Sequence, residues 1–170
     1  MKRALAVTVA FLGLAGSAYA GVYVTGSGTV FQTNDAITPG WQANLGVGYA
    51  VLSFLAVEGT AGYANYFVND AARRRLRVDA IPVDASVIFF YSLPVVRPFL
   101  GLGPTWTWQH FENRKGWSSY TGAHADVGVG IGLGDVVSLT PHVGYRAYDW
   151  GNLRRGAWYY GLNVGVSFTR

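Results

Sequence analysis

From residue 21 onward apolar side chains recur at every second position, the spacing of strands with one apolar face and one small or polar face. Over 41–51, Trp41, Ala43, Leu45, Val47, Tyr49 and Val51 alternate with Gln42, Asn44, Gly46, Gly48 and Ala50. Over 122–133, Ala123, Ala125, Val127, Val129, Ile131 and Leu133 alternate with Gly122, His124, Asp126, Gly128, Gly130 and Gly132. Over 157–168, Trp158, Tyr160, Leu162, Val164, Val166 and Phe168 oppose Ala157, Tyr159, Gly161, Asn163, Gly165 and Ser167. These runs are long for a soluble strand and near the ~9–11 residues of a tilted transmembrane strand. The same rule predicts strands near 21–32, 54–66, 78–91, 96–109 and 136–148, which makes eight. Tight links at 52–53, 93–95 and 134–135 alternate with longer, polar ones at 33–40, 67–77, 110–121 and 149–156. The pattern predicts an eight-stranded antiparallel up-and-down transmembrane β-barrel with short turns at one end and long loops at the other.

The aromatic residues test this, because the topology already decides which end of each strand is up. Trp41, Tyr63, Trp106, Trp108, Tyr145, Trp158 and Tyr160 fall near the loop end, and Tyr49, Phe89, Tyr91 and Phe168 near the turn end. Between them the same face is mostly Val, Leu, Ile and Ala, so two aromatic girdles bracket an aliphatic band, as a bilayer selects. A soluble ligand-binding barrel would have the opposite polarity, with bulky aliphatics inside and a charged exterior. Here the second face is mostly glycine, serine and threonine, too sparse in charge to solvate an exterior.

The chain of 170 residues is 51% hydrophobic and 13% charged, with 23 glycines and no cysteine. That excludes a disordered chain, a disulfide framework and thiolate chemistry. Lys2 and Arg3, the apolar run from Ala4 to Leu14 and the small-x-small Ala18-Tyr19-Ala20 read as a cleaved secretory signal over 1–20, with the barrel domain over 21–170. The apolar run is too short for a membrane anchor helix. Without Lys2 and Arg3 the count is 11 Lys and Arg against 9 Asp and Glu, so no strongly basic face remains for nucleic acid.

Eight strands close a barrel that side chains fill, which disfavours an open diffusion pore. Alternation places Glu58, Asp84, Arg97, His124, Asp126, His142 and Arg146 inside. Buried charges need partners, so a cluster of Asp84, Asp126 and His142 is expected at mid-height, with His124 and Arg146 above and Glu58 and Arg97 below. His124, Asp126 and His142 also have the residue types of a metal site, but a structural ion-pair network is the commoner use of such groups, and no metal or cofactor is expected. His110, Glu112 and Ser118 or Ser119 supply the groups of a lipid-hydrolysing triad without a nucleophile-elbow motif, and no enzymatic activity is expected.

Ile81-Pro82-Val83 through Phe90-Tyr91, followed by Arg97-Pro98-Phe99-Leu100-Gly101-Leu102-Gly103, resembles the fourth and fifth strands of the small eight-stranded outer-membrane barrels. That group includes the OmpA transmembrane domain, OmpX and the opacity and Ail-type surface proteins. The resemblance implies a monomer in the bacterial outer membrane, inserted by the barrel-assembly machinery, contributing to envelope integrity and meeting surface glycolipid or an external partner. Members usually finish on an aromatic residue, whereas here Phe168 is followed by Thr169 and Arg170. The cell-wall-binding domain of OmpA has no counterpart in this sequence, so tethering is not carried over.

Specificity is expected in the loops. Arg73, Arg74, Arg75, Arg77, Arg114, Lys115, Arg154 and Arg155 stand there against Asp35, Asp70, Glu112 and Asp149. Guanidinium groups bind phosphate bidentately, so this rim suits anionic lipid head groups. The alternatives are an adhesin anchored by Trp117 and Tyr120, and a lipid-modifying enzyme or narrow conduit.

Overall fold

The computed structural model describes residues 21–33, 36–69, 75–150 and 156–168; the segment read as a signal and Arg73, Arg74, Arg154 and Arg155 lie outside them. Eight strands follow in order: β1 (Gly21–Thr33), β2 (Ala36–Leu52), β3 (Leu55–Asn69), β4 (Arg75–Phe90), β5 (Val96–Phe111), β6 (Ser118–Leu133), β7 (Val137–Ala147) and β8 (Gly156–Ser167). Each pairs with the next, and β1 pairs antiparallel with β8, so the sheet closes without an edge. Closure leaves no row of unpaired backbone groups facing lipid, which is what allows strands to span a membrane. Among the described residues no helix is long and apolar enough to cross one.

Both ends of the chain's barrel meet at the tight-turn end, where the Phe168 amide donates to the Val22 carbonyl at 3.0 Å. The β6–β7 turn holds Gly134 at φ +80°, a conformation that a Cβ would strain. Four of the prolines inside strands sit where the pairing lapses: Pro39 between β2 and β3, Pro82 between β3 and β4, Pro104 between β4 and β5, and Pro141 between β6 and β7. Proline has no N–H for the ladder, so each leaves a local gap that the neighbouring pairs bracket.

The predicted outer face points away from the axis. Leu45, Val47, Val57, Val87, Leu102, Val127, Val143 and Val164 are all exposed, as are Trp41, Tyr49, Tyr63, Phe89, Tyr91, Trp106, Trp108, Trp158, Tyr160 and Phe168 at its two margins. Tyr145 is half-buried and packs on Trp158 across β7 and β8, ring centres 5.2 Å apart. Glycines opposite make room for aromatic side chains in a narrow lumen. A Cβ at Gly48 would lie 2.1 Å from the Tyr23 ring, and one at Gly144 2.5 Å from that of Tyr159.

The strands run further at the loop end than the alternation predicts. β2 begins at Ala36, β3 continues to Asn69, β4 starts at Arg75, β5 continues to Phe111 and β6 starts at Ser118. Toward this end of the barrel the polarity of the wall is reversed. Asn65, Arg75, Arg77, Asp79 and Ser119 lie on the outer side, while Phe31, Tyr66, Val78, Ala80 and Ala157 are buried inside, with Val68 and Phe111 against them. Outside the bilayer a barrel wall faces water, so the apolar side turns inward as in any soluble sheet.

Candidate functional site

The lumen is layered. Its outer part is an apolar plug, in which Phe31 meets Tyr66 edge-on at 5.3 Å and Val78 is fully buried. Beneath it, a cavity of about 10 Å³ is bounded by Phe31, Gln42, Ala64, Tyr66, Arg146 and Tyr148, room for one water at most.

The middle layer is a polar network. Arg146 on β7 donates through Nη2 to Asp84 Oδ2 on β4 at 2.5 Å and through Nη1 to Gln42 Oε1 on β2 at 2.8 Å. Thr60 Oγ1 donates to Asp84 Oδ2 at 3.4 Å. The chain continues from Gln42 Nε2 to Asn44 Oδ1 at 2.7 Å, and from Asn44 Nδ2 to Ser27 Oγ at 2.9 Å. It therefore ties together strands on opposite walls, and an ion pair bonded at both ends belongs to the strong class. Ser86 Oγ and His124 Nε2 are hydrogen-bonded at 2.9 Å, but His124 Nδ1 stands 4.0 Å from Asp84 Oδ1, beyond a hydrogen bond.

Of the seven interior charges expected from the sequence, the structure brings together Asp84, Arg146 and His124. The mid-height grouping of Asp84, Asp126 and His142 is corrected. Asp126 pairs in register with Gly144 and His142 with Gly128, so they sit at different heights. The His142 ring packs on Tyr159 at 5.9 Å, with Nδ1 3.4 Å from the Thr140 carbonyl. Asp126 meets the charges of Asp84 and Arg146 only through space. Glu58, in the inner layer, is hydrogen-bonded by Tyr23 and Thr25. Arg97 keeps the expected inward phase below these groups but lies exposed at the turn-end mouth, its guanidinium 5.1 Å from the Phe90 ring, because it is only one residue inside β5. Among the described residues no group of three His, Asp or Glu side chains could hold a metal.

Asp126→Asn is therefore expected to be neutral or mildly stabilising, within about 1 kcal/mol, since it removes a like charge near Asp84 and breaks no ion pair. The urea midpoint of unfolding in lipid vesicles measures it.

The groups suggested for a triad do not assemble. His110 Nδ1 donates to the Gly116 carbonyl at 3.0 Å, and its ring lies 5.5 Å from Trp117. Glu112 Oε2 accepts from the Arg77 amide at 3.4 Å. Ser118 belongs to the inner face of β6 and Ser119 to the outer one, so of the two alternatives only Ser119 shares a face with His110. Trp117 is 52% exposed, whereas Tyr120 is on the inner face of β6, near Tyr66. Of the rim cations, Arg75, Arg77, Arg114 and Lys115 are exposed. Arg75 lies over the Phe67 ring at 3.9 Å and Arg114 over Phe111 at 5.4 Å. Gln42, Asn44, Ser27 and Ser86 were not singled out as site residues. Their inward phase was in the alternation, but only the closed barrel places Gln42 against Arg146, which is 104 positions away.

These features define the class: a small, closed, eight-stranded barrel with a bilayer-facing wall and a filled lumen. No protein-family profile matches the sequence, and no curated protein sequence is significantly similar to it. Among solved structures, the chain is similar to the N-terminal β-barrel domain of Pseudomonas aeruginosa OprF, with a TM-score of 0.65 and 18% identity over 89% of this chain and 100% of that one. It is similar to Neisserial surface protein A, with a TM-score of 0.63 and 18% identity over 86% of this chain and 95% of that one. It is also similar to Ail, the attachment invasion locus protein of Yersinia pestis, in complex with the heparin analogue sucrose octasulfate. There the TM-score is 0.60 and the identity 13%, over 88% of this chain and 97% of that one. The fold is that of the small outer-membrane β-barrels, and Ail, one of these neighbours in fold, is an outer membrane protein of Yersinia pestis.

Proposed function

We propose that the protein is a non-enzymatic, monomeric outer-membrane barrel that supports envelope integrity by holding a cationic and aromatic crown against anionic glycolipid of the cell surface. The observation that carries this reading is the filled lumen: Phe31, Tyr66 and Val78 plug its outer part above the network of Asp84, Arg146 and Gln42, and the exposed chemistry lies outside. Arg75, Arg77, Arg114 and Lys115 are exposed at the loop end of β4 to β6, further along the chain's strands than Trp106 and Trp108. Arg73, Arg74, Arg154 and Arg155 extend the same cationic character in sequence. Insertion by the barrel-assembly machinery would read the alternating last strand through Phe168.

Replacing Arg75, Arg77, Arg114 and Lys115 together by Gln is expected to raise uptake of a hydrophobic dye by intact cells severalfold, at unchanged protein level. Uptake equal to wild type would overturn the reading. An adhesin is the second reading, supported by the exposed Trp117 and by the fold shared with an attachment protein crystallised with a heparin analogue. Retention on immobilised heparin that depends on Arg114 and Lys115 would favour it.

A further inference from the structure

Where β3 to β6 emerge from the outer girdle, their outward faces carry an ordered patch that the crown of charge does not explain. Asp79 on β4 pairs in register with Asn65 on β3 and His110 on β5. One row lower, Ile81 pairs with Trp108, and Trp108 with Ser119. Below that, Val83 pairs with Trp106.

The upper row is fixed by hydrogen bonds. Tyr63 Oη and Asn65 Nδ2 donate to Asp79 Oδ1, the latter at 2.9 Å. Arg77 donates to the same oxygen through Nε and Nη2 at 3.2 and 3.0 Å. Among the described residues Oδ2 of Asp79 is left for a donor from outside, and Asn65 keeps its carbonyl oxygen as an acceptor. Beside them His110, held by the Gly116 carbonyl, lies against the exposed Trp117. Above them the Arg75 guanidinium lies over the Phe67 ring, a geometry that leaves its edges open to an anion.

From top to bottom the patch presents a guanidinium, a preset carboxylate and amide beside an indole, then tryptophan and aliphatic side chains. That is the order of chemistry along a phosphorylated glycolipid: phosphate, sugar hydroxyls with an apolar ring face, acyl chains. Across β3 to β6 it is about 14 Å wide, enough for a disaccharide.

We propose that this patch is a binding site for the phosphorylated sugar head group of a glycolipid, and that it recognises the sugar as well as the charge. A carboxylate held by three neighbours accepts hydroxyl hydrogens without reorganising, and tryptophan packs on the ring face, so both terms are absent for an anionic lipid without a sugar. This rests on the anionic-glycolipid reading above and narrows it to a ligand class and to residues outside the loop tips.

The test uses the folded protein in nanodiscs containing diphosphoryl lipid A, the same lipid without its phosphates, or phosphatidylglycerol, with bound lipid counted by native mass spectrometry. Wild type is expected to retain lipid A at least about tenfold better than phosphatidylglycerol. Asp79→Asn and Trp117→Ala, checked for folding by heat-modifiable gel migration, should each abolish most of that preference. Arg114→Gln with Lys115→Gln should weaken all anionic lipids alike and keep the preference. Equal retention of lipid A and phosphatidylglycerol, or a preference unchanged in both Asp79→Asn and Trp117→Ala, overturns the site while leaving the charge-based reading standing. Retention of neither anionic lipid overturns both.

Discussion

Replacing Arg146 by Ala is expected to lower the unfolding free energy in lipid vesicles by about 3–5 kcal/mol, the range for breaking one side of a buried ion pair. Both partners are almost fully buried, at 6% exposure for Arg146 and 7% for Asp84. Without the guanidinium, Asp84 keeps only the 3.4 Å contact from Thr60, and Gln42 loses its strongest donor. Desolvation is expensive for a lone carboxylate, so the variant is penalised by the charge it strands as well as by the bond it loses. The comparison that isolates this is the double variant Asp84→Leu, Arg146→Met. Removing both charges together is expected to recover at least half of the loss, because apolar groups of similar size need no partner. Urea midpoints for the wild type, Asp84→Leu, Arg146→Met and the double variant close the cycle and give the coupling directly. A loss under about 1 kcal/mol for Arg146→Ala would mean that water reaches the pair and that the middle layer is not a sealed network.

Tyr66→Ala and Phe31→Ala should each destabilise the barrel by about 3–5 kcal/mol, as large-to-small changes do in a core that cannot collapse around the gap. The two rings meet edge-on in the plug, at 5% and 3% exposure, and strands locked into a closed sheet have little freedom to close in on the space. The same substitutions test the seal. In planar bilayers the wild type is expected to show no discrete conductance steps, and the double variant Phe31→Ala, Tyr66→Ala to show them if the plug is the barrier. A silent double variant that is folded would place the barrier in the Asp84, Arg146 and Gln42 layer below. Steps from the wild type would overturn the sealed lumen and, with it, the support it gives to an outward-facing function.

Much of this was readable from residue order, because a strand has a side-chain period of two and a bilayer imposes one polarity on it. The runs over 41–51 and 122–133 lie within β2 and β6, and that over 157–168 within β8 but for Phe168, with the expected faces. The girdle positions followed from the same phase. The errors cluster where the phase changes meaning. Beyond Tyr63, Ile81 and Trp108 the inward set becomes Tyr66, Val78 and Ala80 and the outward set Asn65, Arg77 and Asp79. The alternation carries the strands over 54–66 and 78–91 across that inversion but not to their ends, and it leaves Tyr120 in a loop where the structure has it in β6.

By itself, then, the sequence determined strand number, the lipid-facing side and the inward phase of the charged residues, since all three depend on local alternation and on the spacing of turns. Which charges meet was decided only by closure of the sheet. The register stagger between strands sets height, and it brought Arg146 to Asp84 and Gln42 while setting His142 beside Tyr159 and Arg97 at the mouth. Relative height is a sum of hydrogen-bond registers around the barrel, and no single strand carries that sum.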